Sequence, residues 1–245
     1  MIDFLIDIDT KILFFVNSLH SPFWDSFMWL FSGRFIWAPM YASLLFVLFK
    51  CYNWRQGIIY LLAISLTILF ADQLCASILR PIFERLRPAN VENPISDLVH
   101  IVNGYRGGRY GFPSCHAANS FALAAILSLI FNKRRMTVFI FIWAFLNSYS
   151  RAYLGVHYPG DLIVGAFVGS FVGAVTYCAA IGFMARFLPR FRRRVSPRSF
   201  RIDLSPTRSI TYNPVDITIA IGVITVLVIS CISFNAIFSL PHAVA

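Results

Sequence analysis

Residues 150–161 read Ser150-Arg-Ala-Tyr-Leu-Gly-Val-His157-Tyr-Pro-Gly-Asp161. A serine and an arginine are followed by a histidine six residues after the arginine, then by an aspartate four residues further on. One apolar run ends just before this stretch and another begins just after it. A histidine with a carboxylate at i+4 shares one face of a helical turn, which lets Asp161 hold the Nδ1–H of His157 and leaves Nε2 free. A neutral, oriented Nε2 is a base or a nucleophile.

The chain around it is 245 residues long, 58% hydrophobic and only 13% charged, with 25 phenylalanines. Several apolar runs approach or exceed the length of a bilayer crossing, which predicts an all-α, polytopic membrane helical bundle. No polar stretch is long enough for a separate soluble domain. Five scattered cysteines (51, 75, 115, 178 and 231) show no CxxC or paired spacing, so neither a disulfide framework nor a zinc site is implied. The opening MIDFLIDIDTK is acidic where a signal peptide is basic, and predicts no cleaved leader. The net charge of +10 does not mark a nucleic-acid binder. Eight basic residues crowd between Arg186 and Arg208, directly after an apolar run, where anionic headgroups are the natural partner.

Residues 2–19 space their polar side chains helically and predict an amphipathic helix at the membrane interface. A short aromatic piece, Trp24 to Phe31, completes an N-terminal interfacial region, 1–33. Six spans follow: 35–49, 57–79, 113–131, 136–149, 161–185 and 215–240. Residues 34–185 form a core of five spans, 186–214 a basic connection, and 215–245 the last span. Asp72 and Gln73, inside the second span, face protein or water and support the structure through hydrogen bonds. The connections 50–56, 132–135 and 186–214 carry 13 basic residues, against six in 80–112 and 150–160. By the positive-inside rule the former face the cytoplasm, so His157 faces outward, into the periplasm of a bacterial inner membrane.

Two further clusters share that outer side. Arg80 and Arg87 stand seven apart around the sequence Arg80-Pro-Ile-Phe-Glu-Arg-Leu-Arg87-Pro88, and Pro113-Ser114-Cys115-His116 opens a span. Arg80, Arg87 and Arg151 converging on one pocket would repel one another without an anion, and planar bidentate donors suit phosphate oxygens. The N–H groups of residues 114–116 are expected to be unpaired and to point outward, with the Ser114 hydroxyl beside them. Two histidines then complete a displacement at phosphorus, one attacking and one protonating the leaving oxygen.

These clusters resemble the signature of the type 2 phosphatidic acid phosphatase family, which also includes vanadium haloperoxidases: K-x6-RP, PSGH and SR-x5-H-x3-D. Here they read R-x6-RP, PSCH and SR-x5-H-x3-D, in the same order, within residues 35–185. The resemblance implies that His157 is the nucleophile, forming a phosphohistidine, with Asp161 orienting it. It implies that His116 is the general acid and later the base. Arg80, Arg87, Ser114, Arg151 and a backbone N–H near Cys115 would bind the phosphoryl oxygens. It implies no metal and no cofactor. Arg80 stands in place of the family's lysine and Cys115 in place of its glycine, and since the family's nucleophile is a histidine the Cys115 thiol is taken as packing. The implied activity is removal of a terminal phosphate from a membrane lipid. Undecaprenyl diphosphate and lipid A phosphates lead as substrates, followed by phosphatidylglycerophosphate and phosphatidate. The same phosphohistidine would also serve a lipid phosphotransferase, and the arginines alone a non-catalytic headgroup binder or transporter. Arg85, Arg106 and Arg109 are open between headgroup contacts and solvated loop charges. Gly104, Gly107, Gly108 and Gly111 predict a mobile gating loop. His20, His100 and His242 carry no motif and are taken as structural.

Overall fold

A computed structural model describes residues 2–188, 200–205 and 208–239. Helices α1 (Ile2–Ser18) and α2 (Pro22–Phe31) precede α3 (Ala38–Cys51) and α4 (Trp54–Gln73). Helix α4 runs through a π-helical stretch, Leu74–Leu79, into the short α5 (Arg80–Phe83). After a long polar connection come α6 (Cys115–Phe131), α7 (Arg134–Tyr153), α8 (Pro159–Phe187) and α9 (Pro214–Ser239). The architecture is helical throughout, apart from an antiparallel hairpin, β1 (Phe200–Ser205) and β2 (Arg208–Tyr212), with Ile202 opposite Ile210. That hairpin lies in the basic connection, where no strand was expected. Residues 189–199 and 206–207 of the connection, and the end of the last span with His242, lie outside the described residues.

The helix ends follow from local chemistry. Ser21, ahead of Pro22, accepts the Trp24 N–H, and Asn53 accepts the Gln56 N–H. Each satisfies a donor that the first helical turn leaves open. Asn132 closes α6 in the left-handed region (φ 47°), and Glu84 closes α5 in the same way (φ 44°).

Among the described residues three helical stretches have the length and apolarity to cross a membrane: Trp54–Phe83, Pro159–Phe187 and Pro214–Ile237. The apolar α3 and α6 have 14 and 17 residues. At 1.5 Å per residue they reach about 21 and 26 Å, short of a hydrocarbon core of about 30 Å. Helix α7 departs from expectation. It runs beyond 136–149 at both ends, so Ser150 and Arg151 belong to its last turn rather than to a loop.

Helix α6 is the hub, packed most extensively on α8 and then on α7 and α4. Its contact with α8 is close because α8 carries glycine every fourth residue. A Cβ at Gly165, Gly169 or Gly173 would fall 2.5 Å from the Ser114 carbonyl oxygen, 2.0 Å from that of Ala118 and 2.7 Å from that of Ala122. Small residues at this spacing let two membrane helices approach backbone to backbone. In this fold they clamp the start of α6, with Ser114 to His116, against the start of α8, with Asp161. At the same end, Asn17 of α1 donates to the Tyr153 and His100 carbonyls, and Asp25 of α2 accepts from the Tyr153 hydroxyl at 2.6 Å and His100 Nε2 at 2.9 Å. His100 is therefore structural, as its lack of motif suggested, and so are the two intramembrane polar residues. Asp72 accepts from Asn119 and Gln73 from Ser77.

Candidate active site

His157 and Asp161 meet, with Nδ1 3.3 Å from Oδ2, and both are buried. They meet by a different route from a shared helical face. Helix α8 starts only at Pro159, so His157 precedes it in non-helical backbone. Asp161, in the first turn, reaches back to accept the Tyr158 N–H at 3.1 Å, and the same oxygen faces the imidazole. The proline sets where the helix starts, and the returning carboxylate catches the ring.

The opposite ring nitrogen settles the tautomer. Arg87 Nη1 lies 2.8 Å from His157 Nε2. A guanidinium only donates, so Nε2 is the acceptor and the single ring proton sits on Nδ1, facing Asp161. Burial first, then the Arg87, Arg151 and Arg80 cations, hold His157 well below its ordinary value of 6.5. Arg87 is itself fixed from three directions, donating Nε to the Tyr110 carbonyl and Nη1 to the Val156 carbonyl besides the imidazole. Burial, followed by the Arg80 and Arg151 charges, lowers its value to about 10, still cationic at neutral pH.

The three arginines converge as expected. Arg151 is 8% exposed, and its Nη2 donates to the Tyr105 hydroxyl at 3.5 Å. Among the described residues the buried Nε atoms of Arg80 and Arg151 have no hydrogen-bond partner. Buried cationic donors left open in this way are what an incoming anion would satisfy.

The Pro113–His116 cluster holds two corrections. Its N–H groups are not all open: Ser114 donates its own to the Asp161 carbonyl at 3.0 Å, tying α6 to α8 and leaving those of Cys115 and His116. The Ser114 side chain accepts the Ala117 N–H as an N-cap, which still leaves its hydroxyl proton to donate. Cys115 is more than packing, because Arg80 Nη2 points at its sulfur from 2.9 Å. The two residues that depart from the family pattern therefore touch each other, and the Cys75 thiol is hydrogen-bonded alongside. His116 has the Ser32 backbone, at the end of α2, and the Asn147 side chain of α7 as hydrogen-bond partners.

Arg85, Arg106 and Arg109 each have protein partners. Arg85 pairs with Asp161 at 2.9 Å and Asp9 at 2.7 Å. Arg106 binds the Ala89 carbonyl and Ser96, and Arg109 pairs with Glu92. The loop glycines also take a definite place. A Cβ on Gly111 would lie 3.0 Å from Asp161 Oδ2 and 3.4 Å from His157 Nδ1, while Gly107 (φ +71°) lies against Arg87. With Arg87 N–H donating to the Arg109 carbonyl and Gly111 N–H to that of Arg85, residues 107–111 lie over the His157–Asp161 pair. The roles of Asp9, Ser32 and Asn147 left no local trace in the sequence.

A model of the PAP2 superfamily matches residues 56–180, a stretch that begins in α4 and ends in α8 and includes all three clusters. The chain belongs to the PAP2 superfamily. It is similar to a lipid A 4'-phosphatase from Bacteroides thetaiotaomicron, 59% identical over 76% of this chain and 83% of that protein. A lipid A 4'-phosphatase from Porphyromonas gingivalis is 34% identical over 76% of this chain and 78% of that protein. Among solved structures, Aquifex aeolicus LpxE superposes with a TM-score of 0.51 at 25% identity, over 68% of this chain and 93% of that one. Similarity to these membrane phosphatases, together with the apolar helices, makes this PAP2 protein an integral membrane lipid phosphatase.

Proposed function

We propose that this PAP2 enzyme hydrolyses the 4'-phosphate monoester of lipid A at the outer face of a bacterial inner membrane, through a phosphohistidine on His157. The observation that carries the chemistry is the line Arg87–His157–Asp161, which leaves Nε2 unprotonated among three arginines. The substrate rests on the 59% identity to a lipid A 4'-phosphatase. The orientation rests on the excess of basic residues in the connections on the opposite side. In this reading residues 1–33 lie along the outer interface, 34–185 hold five crossings, 186–214 is the cytoplasmic basic connection, and 215–245 adds the sixth.

Arg87 stands on the lone pair of Nε2. A phosphate entering among Arg80, Arg87 and Arg151, with the Ser114 hydroxyl and the Cys115 N–H at its edge, draws Arg87 onto its oxygens and uncovers the nucleophile. Nε2 attacks phosphorus, the P–O bond to the lipid breaks, and His116 gives its proton to the departing oxygen. Water then attacks the phosphohistidine, His116 takes the water's proton, and the P–N bond breaks to release orthophosphate. Asp161 balances the ring's positive charge while the P–N bond exists.

Detergent-purified protein, assayed with EDTA present on lipid A, undecaprenyl diphosphate, phosphatidylglycerophosphate and phosphatidate, tests the reading. Release from lipid A at the 4' position, lost in His157→Ala, is the expected result. Release from another lipid alone would replace the substrate. No release from any lipid by folded protein would overturn the assignment.

A further inference from the structure

Asp161 is a fully buried carboxylate whose two oxygens have different partners. Oδ2 accepts from the Tyr158 N–H and faces His157 Nδ1, and Oδ1 accepts from Arg85 Nη1 at 2.9 Å. The second nitrogen of Arg85, Nη2, pairs with Asp9 Oδ2 at 2.7 Å, and its guanidinium lies 3.8 Å above the Tyr158 ring. Asp9 in turn uses Oδ1 to accept the Gly160 N–H at 2.7 Å. A Cβ on Gly160 would stand 2.8 Å from the Asp9 carboxylate, so this approach depends on the glycine. Asp9 lies outside the three signature clusters and Arg85 sits at one of the unspecified positions within the first; they come from α1 and the loop after α5.

We propose that Arg85 and Asp9 are positioning residues for the nucleophile: Arg85 holds buried Asp161 charged and aligned on His157, and Asp9 tethers Arg85. This rests on the reading of His157 as nucleophile. A carboxylate taken out of water without a cation neutralises by binding a proton. Once protonated it no longer attracts the Nδ1–H, and the ring loses both its orientation and its counter-charge. The groups facing Asp161 are Arg85, His157 and the Tyr158 N–H, with Asp9 behind Arg85 and Gly111 packed over Oδ2. Arg87 acts on the far side of the ring. Arg85 is thus the cation paired directly with this carboxylate, and α1 becomes a working part of the catalytic centre.

The two removals should act differently on the acid limb. Loss of the Arg85 charge makes protonation of the His157–Asp161 pair easier, moving the acid limb of kcat/KM to higher pH. An adjacent opposite charge is worth about 1–3 pH units. Loss of the Asp9 charge does not raise the limb, but it frees Arg85 and lowers kcat.

The test compares wild type, R85M, R85K and D9N in one detergent on one lipid phosphate, so that the substrate's own ionisation cancels. The same proteins, labelled with 15N-histidine, give the His157 titration without any turnover. R85M is expected to move both the limb and the His157 titration upward by about one unit or more, with kcat down about tenfold to a hundredfold. R85K should keep the limb near its wild-type position at reduced kcat, and D9N should lower kcat without raising the limb. Folding is judged by thermal unfolding and monodisperse elution. Should R85M not fold, R85K and D9N carry the same test. Folded variants with wild-type limbs, His157 titrations and kcat would overturn the proposal. Failure of the wild type to release phosphate would instead count against the phosphatase reading, and the His157 titrations would still decide the positioning roles.

Discussion

Replacing Gly169 by alanine is the sharpest test of how the fold holds its site together. The new Cβ would lie 2.0 Å from the Ala118 carbonyl oxygen, 2.8 Å from its carbon and 2.9 Å from its Cα, all backbone atoms of α6. No rotamer change relieves a clash with backbone. An ordinary contact needs about 3.5 Å, so α6 and α8 must part by about 1.5 Å at this point. Forced overpacking of this kind costs about 1–3 kcal/mol in stability. The functional loss should be larger in proportion. Gly169 lies two turns beyond Asp161 on α8, and the same pair of helices carries the Ser114 N–H to Asp161 carbonyl bond of 3.0 Å. A misplacement of about 1 Å between nucleophile and phosphate-binding groups costs about a hundredfold in rate. The assay is kcat for lipid phosphate release alongside thermal unfolding in the same detergent. Gly182→Ala on the same helix is the control, because nothing lies within 4 Å of a Cβ there. The two variants should separate by about a hundredfold in kcat. Gly169→Ala with the kcat and unfolding temperature of Gly182→Ala would refute the close-packing account.

Arg87→Lys keeps the charge but loses the fixed fork that reaches Tyr110, Val156 and His157, so kcat/KM should fall about a hundredfold to a thousandfold in the release assay. Cys115→Gly restores the family residue and removes the sulfur that Arg80 faces. KM should rise about threefold to tenfold, and a double-mutant cycle with Arg80→Lys should show non-additivity, since the residues touch. Because His157 is held below 6.5, the folded protein binds fewer protons than the unfolded chain at pH values below that. Stability should therefore fall as pH drops below 6.5, until the lowered folded value is passed. Thermal unfolding of His157→Gln across that range should show a shallower slope.

The candidate catalytic residues were legible because each announces itself through type and spacing within a few positions. His157, Asp161, Arg151, Ser114 and His116 all lie in the site that their motifs described. Helix existence was equally plain from the apolar runs. Helix ends were less so: Ser150 and Arg151 are polar, which suggests a loop, yet α7 continues because its last turn packs against protein rather than lipid. Pairings over long separations were not legible. Asp9 finds Arg85 across 76 residues, and Ser32 finds His116 across 84, so no local pattern encodes either contact. The glycines at 165, 169 and 173 were a signal in plain view, since their four-residue spacing specifies close helix contact.

The π-helical stretch from Leu74 to Leu79 has a consequence for how this chain can change length. Its wider turn takes in one residue more than an α-helix would, and the Arg80 N–H bonds back to the Cys75 carbonyl, five residues earlier. Deleting a single residue there would let the segment relax into regular helix with its span of the bilayer almost intact. Each residue of α-helix turns about 100°, so the deletion re-phases whichever side of it rotates. Arg80 would swing around the helix axis away from Cys115, or the lipid-facing side of α4 would turn inward. Natural variation in length should accordingly be absent from these six positions.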